Sequence, residues 1–266
     1  MGRSTPVPFL SLILPAYNEV TSISGTLRDI EQYVALKGFP YQIIVSADGN
    51  DGTRELVADL AKHNSSLSVI GSSTRGGKGL GIRRAIPLAY GQIVGIVDAD
   101  NKTPITELDK VLPLFEEGYD LVIGSRALPG AVIERRQPLY RQIGSHGFGV
   151  FMHLVTGLND IVDSQCGFKF FQQSVAQDLF SRQKIDGYMY DVEILFLAKK
   201  LGYRIAQVPI HWHDDGDSRL QLFSGNVRNV IDVFRIRLAS HAVAGETALR
   251  NQLDLGQNYR PDDHWS

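Results

Sequence analysis

Cysteine and an excess of charge of one sign are both lacking in this sequence. The 266 residues include a single cysteine, Cys166, so an internal disulfide is excluded and a reducing cytoplasm is the setting that fits. Lys and Arg together number 27 against 29 for Asp and Glu, which gives a formal net charge of −2. Broad nucleic-acid surfaces carry a basic excess, so we expect no nucleic-acid partner.

Long apolar runs are lacking as well. No stretch approaches the roughly 20 consecutive apolar residues of a membrane-spanning helix. Residues 1–8 contain no apolar segment of the kind that a signal peptide requires. Hydrophobic residues nevertheless make up 43% of the chain, which is enough to bury a full core. We therefore expect a globular cytoplasmic protein that binds a membrane at most peripherally, at its inner face.

In the first half of the chain, short apolar runs alternate with amphipathic helical patterns. Apolar residues at positions 23, 27, 30 and 34, for example, share one face of a helix. The repeated strand–helix–strand order predicts an α/β fold with a doubly wound, mostly parallel sheet, whose ligands bind beyond the carboxyl ends of the strands. The five predicted strands are Phe9–Leu14, Gln42–Ser46, Leu67–Gly71, Ile93–Val97 and Leu121–Gly124, with further helical patterns at 56–61, 80–89 and 111–115.

The second half of the chain is less regular. Residues 128–142 contain two prolines, a glycine and three arginines, which predicts a long mobile loop. An apolar stripe over residues 222–238, with three arginines nearby, fits either a helix that lies in a membrane interface or a closing helix packed on the sheet. The packed helix is the favoured interpretation, and the arginine loop is then the element expected to face a membrane. The other predicted elements are a helix over 140–157, a strand at Gly167–Phe171, a helix at Asp191–Leu201 and a strand at Ile205–Ile210.

Two carboxylates one residue apart follow the fourth predicted strand, in the segment Asp98-Ala99-Asp100. Where the backbone stops being extended, both side chains can approach one cation. Carboxylate oxygens are ligands that Mg²⁺ and Mn²⁺ prefer, and such an ion in turn bridges phosphate oxygens. Taken alone, the pair is equally well explained as solvated loop aspartates, because the string Asp-x-Asp is common.

The first predicted strand also ends in polar residues. Pro15, Tyr17 and Glu19 close this strand at the same edge of the sheet as the paired aspartates. A helix start capped by Asn18 or Thr21 is the structural alternative. Without other signals, that alternative is the better explanation.

Two glycine-rich segments follow the second and third predicted strands. Asp48 opens the first of them and can accept hydrogen bonds from a nucleoside, although a capped turn explains the segment too. Lys78 lies in the second, residues 75–81, at the start of a predicted helix, where backbone N–H groups favour anions. The segment is not a P-loop, since Gly79 stands where Ser or Thr would follow the lysine.

These four segments follow successive strands along one predicted edge. Five more segments can be matched to a known pattern: Gly124-Ser125-Arg126, Asp163–Lys169, Gly187–Glu193, Val208–Trp212 and Ser218-Arg219-Leu220. Over most of residues 9–239 the sequence resembles the family-2 inverting glycosyltransferases, which have a nucleotide-binding fold called GT-A. Within that family it is most similar to the dolichyl- or polyprenyl-phosphate sugar synthases, in particular the dolichyl-phosphate glucosyltransferase branch.

The resemblance implies a donor site and a domain organisation. UDP-glucose is the favoured donor and GDP-mannose the alternative, although Ala47 stands where the family usually has a further aspartate. The domain is expected over residues 1–244, with a donor-binding part at about 9–126, an acceptor-side part at about 127–244, and a polar tail over 245–266. The residues expected to contact the donor are Pro15, Tyr17, Glu19, Asp48, Lys78, Asp98 and Asp100, of which Asp98 and Asp100 would also hold Mg²⁺ or Mn²⁺.

The resemblance further implies a lipid-phosphate acceptor at a membrane surface, with a homodimer or a membrane-protein partner left open. Asp163 or Asp191 would act with Asp100 in catalysis, as a base toward a hydroxyl acceptor. A phosphate acceptor is already anionic and needs positioning more than deprotonation. The arginines expected to hold that phosphate are Arg126, Arg135, Arg136, Arg141 and Arg219.

The remaining polar candidates are given structural roles. His211 and His213 lie on one face of a predicted strand, but the sequence shows no third metal ligand within reach, so we expect packing or surface roles. Cys166 is expected to be buried. The alternative functions are transfer to a soluble or cell-envelope sugar hydroxyl, sugar-phosphate nucleotidyl transfer, and nucleotide-sugar binding without catalysis.

Overall fold

A computed structural model describes residues 7–134, 149, 151–213 and 226–238. Most of the predicted arginine loop and the whole predicted tail lie outside the described residues. So do four of the five arginines expected to hold an acceptor phosphate, namely Arg135, Arg136, Arg141 and Arg219.

Nine strands in the described residues form one large and one small sheet: β1 (Leu10–Tyr17), β2 (Tyr41–Asp48), β3 (Leu67–Ile70), β4 (Ile93–Val97), β5 (Leu121–Ser125), β6 (Val132–Ile133), β7 (Phe168–Gln172), β8 (Ile205–Pro209) and β9 (His211–Trp212). The large sheet has the order β3-β2-β1-β4-β7-β5-β8, and β6 pairs with β9. Only β7 runs antiparallel to its neighbours. The predicted mostly parallel, doubly wound sheet is confirmed.

The described helices are α1 (Ile23–Lys37), α2 (Thr53–Ala61), α3 (Lys78–Ala85), α4 (Leu108–Glu116), α5 (residues 151–156), α6 (Gln173–Arg182), α7 (Tyr190–Lys200) and α8 (Asn226–Leu238). The helical pattern predicted over 80–89 divides in two, because α3 is followed by a 3₁₀ helix at Ile86–Leu88. Pro87 lies in this 3₁₀ helix, and proline lacks the N–H that would continue an α-helix.

The sheet is covered on both faces, which explains its continuous apolar strands. Alternate residues of β1 enter different clusters, since Leu12 and Leu14 pack on one face and Ile13 on the other. Helix α1 contributes Ile23, Leu27, Ile30 and Val34 to the first cluster, and α7 contributes Val192, Ile194 and Leu195 to the second. The carboxyl ends of the strands, which together form the edge called the rim below, are therefore supported by a packed core on both faces of the sheet.

Strand β7 is the element that brings the second half of the chain to the strand ends. It inserts antiparallel between β4 and β5, with Phe168 opposite Val97 at the carboxyl end of β4. Residues that precede β7 therefore arrive beside the residues that follow β4. The insertion requires a close approach at Gly95, where an added Cβ would lie 2.4 Å from the ring of Phe170.

Helix α8 differs from its prediction. The expected packed stripe is wrong for Val227, Ile231, Phe234 and Leu238, whose side chains are exposed. These positions are spaced by four, three and four residues and share one face, while Val233 and Ile236 on the neighbouring face are buried. Among the described residues, no helix has the length and apolar character needed to cross a bilayer.

The close approach of β4 and β7 predicts a large effect of adding one methyl group. We expect Gly95→Ala to destabilise the protein by about 1–3 kcal/mol, because the new Cβ must displace the Phe170 ring in a filled core. The matched control is Gly25→Ala in α1, where an added Cβ meets no atom within 4 Å. Urea unfolding measures both; equal midpoints for the two variants would contradict the prediction.

Candidate active site

The paired carboxylates lie where the strand order of the sheet reverses. β2 and β3 lie on one side of β1, and β4 lies on the other, so a crevice opens beyond the carboxyl ends of β1 and β4. β4 ends at Val97, and Asp98 and Asp100 follow directly in a turn whose next residue, Asn101, has a φ of 56°. Both carboxylates are partly exposed at this rim.

Asp98 is paired with the first residue of α3. Nζ of Lys78 lies 2.6 Å from Oδ1 of Asp98. Burial by itself lowers the pKa of Lys78, but the surrounding carboxylates, Asp98 first, outweigh burial and raise that pKa above its ordinary value. Lys78 is therefore a permanent positive charge beside the carboxylates.

Asp100 is held less tightly. Its Oδ1 accepts the backbone N–H of Lys102 at 3.3 Å, and Nζ of Lys102 lies 3.4 Å from its Oδ2. Burial, followed by the charge of Asp98, raises the pKa of Asp100, and Lys102 opposes this shift. Two carboxylates whose mutual repulsion is only partly offset favour the arrival of a further cation.

Gly167 lies directly against the carboxylate of Asp98, a contact that its place in the matched segment Asp163–Lys169 did not predict. A Cβ at position 167 would lie 1.9 Å from Oδ2 of Asp98, so any side chain there would displace this carboxylate. The contact arises because β7 starts opposite the end of β4. A glycine directly before an apolar strand is the signal that points to such an approach.

Asp48 at the end of β2 organises the loop that follows β3. Its Oδ1 accepts the N–H of Ser72 at 3.1 Å, and its Oδ2 accepts the N–H of Gly76 at 2.8 Å. Gly77 follows with a φ of 115° and approaches the carbonyl of Asp186 so closely that a Cβ would clash. Asp48 thus fixes the backbone that leads into Lys78.

Arg75 lies between Tyr17 and Tyr188 at the carboxyl ends of the strands. Tyr17 was predicted as a donor contact, whereas the contact of Arg75 with Tyr188 was not predicted. The Arg75 guanidinium lies 4.3 Å from the centre of the Tyr17 ring, and its Nη2 donates to the Tyr188 hydroxyl at 3.1 Å. Arg75 and Tyr188 are 113 positions apart in sequence, so no local pattern announces the contact. The arrangement presents aromatic faces and a positive charge beside Asp48.

The end of β1 combines the predicted site residues with a helix start. Pro15 and Tyr17 pair in register with Ser46 and Asp48 of β2. Glu19 accepts the Ser22 hydroxyl at 2.7 Å at the start of α1. The residue before α1 is Ser22, rather than the Asn18 or Thr21 weighed as caps.

Arg126 and Asp163 are bound to each other. Nε and Nη2 of Arg126 donate to the two carboxylate oxygens of Asp163 at 2.8 and 2.9 Å, and the Arg126 backbone N–H donates at 3.0 Å. Burial raises the pKa of Asp163, but the charge and hydrogen bonds of Arg126 outweigh burial and lower it. The predicted base and the predicted phosphate ligand therefore form one bidentate pair.

Asp191 is held in a second pair, deeper in the core. Nζ of Lys169, on β7, lies 2.5 Å from Oδ1 of Asp191 at the start of α7, and it also donates to the Cys166 carbonyl. The two side chains are 1% and 4% exposed. Cys166 is buried as predicted, and burial raises the pKa of its thiol to about 12.

Comparisons with known proteins identify the family of this chain. The sequence model of glycosyl transferase family 2 matches residues 11–180. A dolichyl-phosphate beta-glucosyltransferase of Dictyostelium discoideum is 33% identical over 242 residues, which cover 86% of this chain and 74% of that protein. A dolichyl-phosphate beta-glucosyltransferase of Trichomonas vaginalis is 30% identical over 258 residues, which cover 92% and 75%.

A solved structure shows the same fold. Glucosyl-3-phosphoglycerate synthase from Mycobacterium tuberculosis, in complex with Mn²⁺ and uridine-diphosphate-glucose, aligns with a TM-score of 0.62 at 21% identity, over 86% of this chain and 79% of that one. The fold is thus the GT-A fold of glycosyltransferases. The chain belongs to glycosyl transferase family 2 and is an enzyme of that family.

The buried pair beneath the rim leads to a stability prediction. We expect Asp191→Asn to lower the free energy of unfolding by about 3–5 kcal/mol, because it leaves the Lys169 ammonium buried without its counter-charge. Asp160→Asn, which removes the exposed pair with Lys199, should change it by less than about 1 kcal/mol.

Urea unfolding followed by circular dichroism measures both variants. The double variant Lys169→Met/Asp191→Leu removes both charges and should recover most of the loss. A change of under 1 kcal/mol in Asp191→Asn would contradict a tightly coupled buried pair.

Proposed function

We propose that this enzyme transfers glucose from UDP-glucose to a dolichyl or polyprenyl phosphate, with inversion at the anomeric carbon. The observation that carries the proposal is the pair Asp98 and Asp100 at the reversal of the strand order, with Lys78 at 2.6 Å from Asp98. The names of the relatives support glucose and the lipid phosphate, since both relatives are dolichyl-phosphate beta-glucosyltransferases.

Asp98 and Asp100 are the residues that would hold a divalent cation. The two neighbouring carboxylates form a hard oxygen donor set. Burial, followed by the charge of Asp98, raises the pKa of Asp100, and a cation bound between the two carboxylates would offset both effects. When bound, Mg²⁺ or Mn²⁺ neutralises the charge that builds on the departing nucleoside diphosphate. The Mycobacterium tuberculosis enzyme, of the same fold, is solved with Mn²⁺ and uridine-diphosphate-glucose.

The other proposed contacts to the nucleotide-sugar come from residues at the carboxyl ends of β1 and β2 and at the start of α3. Tyr17 and Arg75 offer a stacked aromatic and cationic surface beside the carboxylate of Asp48. Lys78 begins α3, so its charge and the helix N-terminus both favour the pyrophosphate. Pro15 and Glu19 complete the strand end. We favour a uridine nucleotide over a guanosine nucleotide because the segment Gln165–Lys169 resembles the dolichyl-phosphate glucosyltransferases.

A phosphate acceptor changes the demand on the two buried aspartates. An anionic phosphate oxygen attacks the anomeric carbon, the bond to the diphosphate oxygen breaks, and the electron pair leaves with the nucleoside diphosphate. No proton has to be removed from such a nucleophile. Asp163 already accepts hydrogen bonds from Arg126, and Asp191 accepts one from Lys169. We therefore assign both aspartates the role of positioning these basic side chains rather than the role of a catalytic base.

Arg126 is the described candidate for the acceptor phosphate. The Arg126 side chain is 31% exposed, and its guanidinium is oriented by Asp163 and lies 5.4 Å from the centre of the Trp212 ring. An arginine fixed in this way offers its remaining N–H groups to a phosphate without reorganisation. The proposal retains four further phosphate ligands that lie outside the described residues, namely Arg135, Arg136, Arg141 and Arg219.

The exposed face of α8 is consistent with work at a bilayer surface. Ile231 and Phe234 belong to its exposed apolar stripe, and Arg228, Arg235 and Arg237 lie on the same helix. Apolar side chains with neighbouring basic residues are the pattern of a helix that lies in a membrane interface. A lipid acceptor would be reached from such a position.

The metal assignment predicts the result of one substitution. We expect Asp100→Ala to reduce sugar transfer at least about 100-fold with the fold intact, because a bound metal contributes several kcal/mol to the transition state and 1.36 kcal/mol is a factor of ten. The control Asp59→Ala removes an exposed carboxylate on α2 and should retain parental activity.

The assay compares transfer in excess Mn²⁺ and in excess EDTA, with calorimetry of UDP and GDP binding in Mn²⁺. Equal transfer by Asp100→Ala and the parent under both conditions would contradict the metal assignment. Tighter binding of GDP than of UDP would overturn the choice of UDP-glucose as the donor, but it would leave the metal assignment unaffected.

The lipid acceptor predicts membrane binding. We expect the parent to float with anionic liposomes at low salt, and Arg135→Glu/Arg136→Glu to float much less, because each basic residue near anionic lipid contributes about 1 kcal/mol. The control Arg28→Glu/Arg84→Glu changes two exposed arginines on α1 and α3 and should still float. A parent that stays unbound at low salt, yet glucosylates a water-soluble acceptor fully, rules out the lipid acceptor.

A further inference from the structure

A cluster of two histidines and one glutamate lies on the small sheet, outside the site described above. β6 and β9 pair in parallel, with Val132 opposite His211 and Ile133 opposite Trp212. The same register brings Glu134, the next residue after β6, beside His213, and the Glu134 backbone N–H donates to the Trp212 carbonyl at 3.2 Å. His211 and His213 are two positions apart, so their side chains share one face of the strand.

The side chains of Glu134, His211 and His213 place their possible ligand atoms close together. Nε2 of His211 lies 3.2 Å from Oε1 of Glu134, and Nδ1 of His213 lies 2.5 Å from Oε2 of the same carboxylate. One ligand atom from each residue lies within 4.8 Å of the other two. The two imidazole rings are 4.9 Å apart, centre to centre.

One ring nitrogen of this cluster, Nε2 of His211, is buried and makes no hydrogen bond. Nε2 of His211 is shielded from solvent and has no hydrogen-bond partner of acceptable geometry, although it faces the Glu134 carboxylate. A buried ring nitrogen without a partner is unfavourable, and coordination to a metal ion would satisfy it. The sequence expectation that His211 and His213 have no third ligand within reach is therefore wrong, since β6 supplies Glu134 from a distant part of the chain.

We propose that Glu134, His211 and His213 form a second metal site, which binds Zn²⁺ or a chemically similar transition-metal ion. Two imidazole nitrogens and one carboxylate form a donor set that suits zinc, whereas Mg²⁺ and Mn²⁺ favour oxygen ligands such as Asp98 and Asp100. Three protein ligands leave the fourth position of a tetrahedral zinc ion for water or another ligand.

The site would tie the small sheet together next to the active site. A metal ion links β6 to β9, which touch through a short ladder only. The His213 backbone N–H donates to the carbonyl of Lys102 at 2.8 Å, and Lys102 in turn contacts Asp100. Occupancy of the second site therefore stiffens the strand that carries Trp212, against which Arg126 lies.

Zinc binding without nucleotide tests the proposal independently of sugar transfer. Chelator-stripped parent is titrated with Zn²⁺ by calorimetry, and the shift in unfolding temperature is measured in parallel, because an ion that binds only the folded state stabilises it. We expect saturable binding of one Zn²⁺ ion per chain and a raised unfolding temperature. Co²⁺ absorption spectra report the coordination by nitrogen ligands.

The variants separate this site from the aspartate pair. His211→Ala/His213→Ala should abolish saturable zinc binding while retaining UDP binding in Mn²⁺, and Asp100→Ala should retain zinc binding. The control His63→Ala/His153→Ala removes two histidines elsewhere and should bind zinc as the parent does. Glu134→Gln, at a side chain 51% exposed, is safe for folding and should weaken zinc at least about tenfold.

Two outcomes would overturn the proposal. Zinc binding that is unchanged in both the double histidine variant and Glu134→Gln shows that these residues do not hold the ion. Zinc binding that is lost in Asp100→Ala shows that a single ion is shared with the aspartate pair. Either result leaves the proposed transferase function untouched, because no step of the test involves a sugar donor.

Discussion

Charge compensation beneath the strand ends is the constraint on which this site depends. Carboxylates gathered at one edge of a sheet repel one another, and burial strengthens that repulsion. Each of three aspartates has a basic partner that approaches from another element: Lys78 from α3 for Asp98, Arg126 for Asp163 and Lys169 for Asp191. Asp100, whose contact with Lys102 is longer, is the carboxylate left with most capacity for another cation.

The antiparallel strand connects this charge balance to the fold. β7 carries Lys169 between β4 and β5 and places Gly167 against Asp98. A parallel strand in that position would begin at the opposite edge, and the segment before it would lie far from the rim. One reversed strand in an otherwise parallel sheet thus brings residues from the second half of the chain beside Asp98, which lies in the first half.

The parts of this structure that follow from local pattern were predictable from the sequence. Strand runs, helix faces and the polar residues after each strand depend on neighbours a few positions away, so β1 to β5 and the positions of Asp48, Lys78 and Asp98 followed from spacing. Long-range contacts leave no periodic trace. Arg75 on Tyr188, Gly167 behind Asp98 and Glu134 beside His213 all join residues that are distant in sequence. The prediction that the apolar stripe of α8 packs on the sheet was wrong, because an apolar helix face in the sequence does not show what covers that face.

The carboxylate of Asp48 has a consequence for how variants of this enzyme are interpreted. It accepts the N–H groups of Ser72 and Gly76, so it closes the loop that delivers Lys78 to Asp98. Replacing Asp48 would release that loop and, with it, the cation beside the paired carboxylates. Turnover would then fall because the loop is no longer ordered, so a loss of activity in such a variant would not by itself demonstrate a direct contact between Asp48 and the nucleotide. The carboxylate proposed to contact the donor therefore also holds the loop after β3 in place.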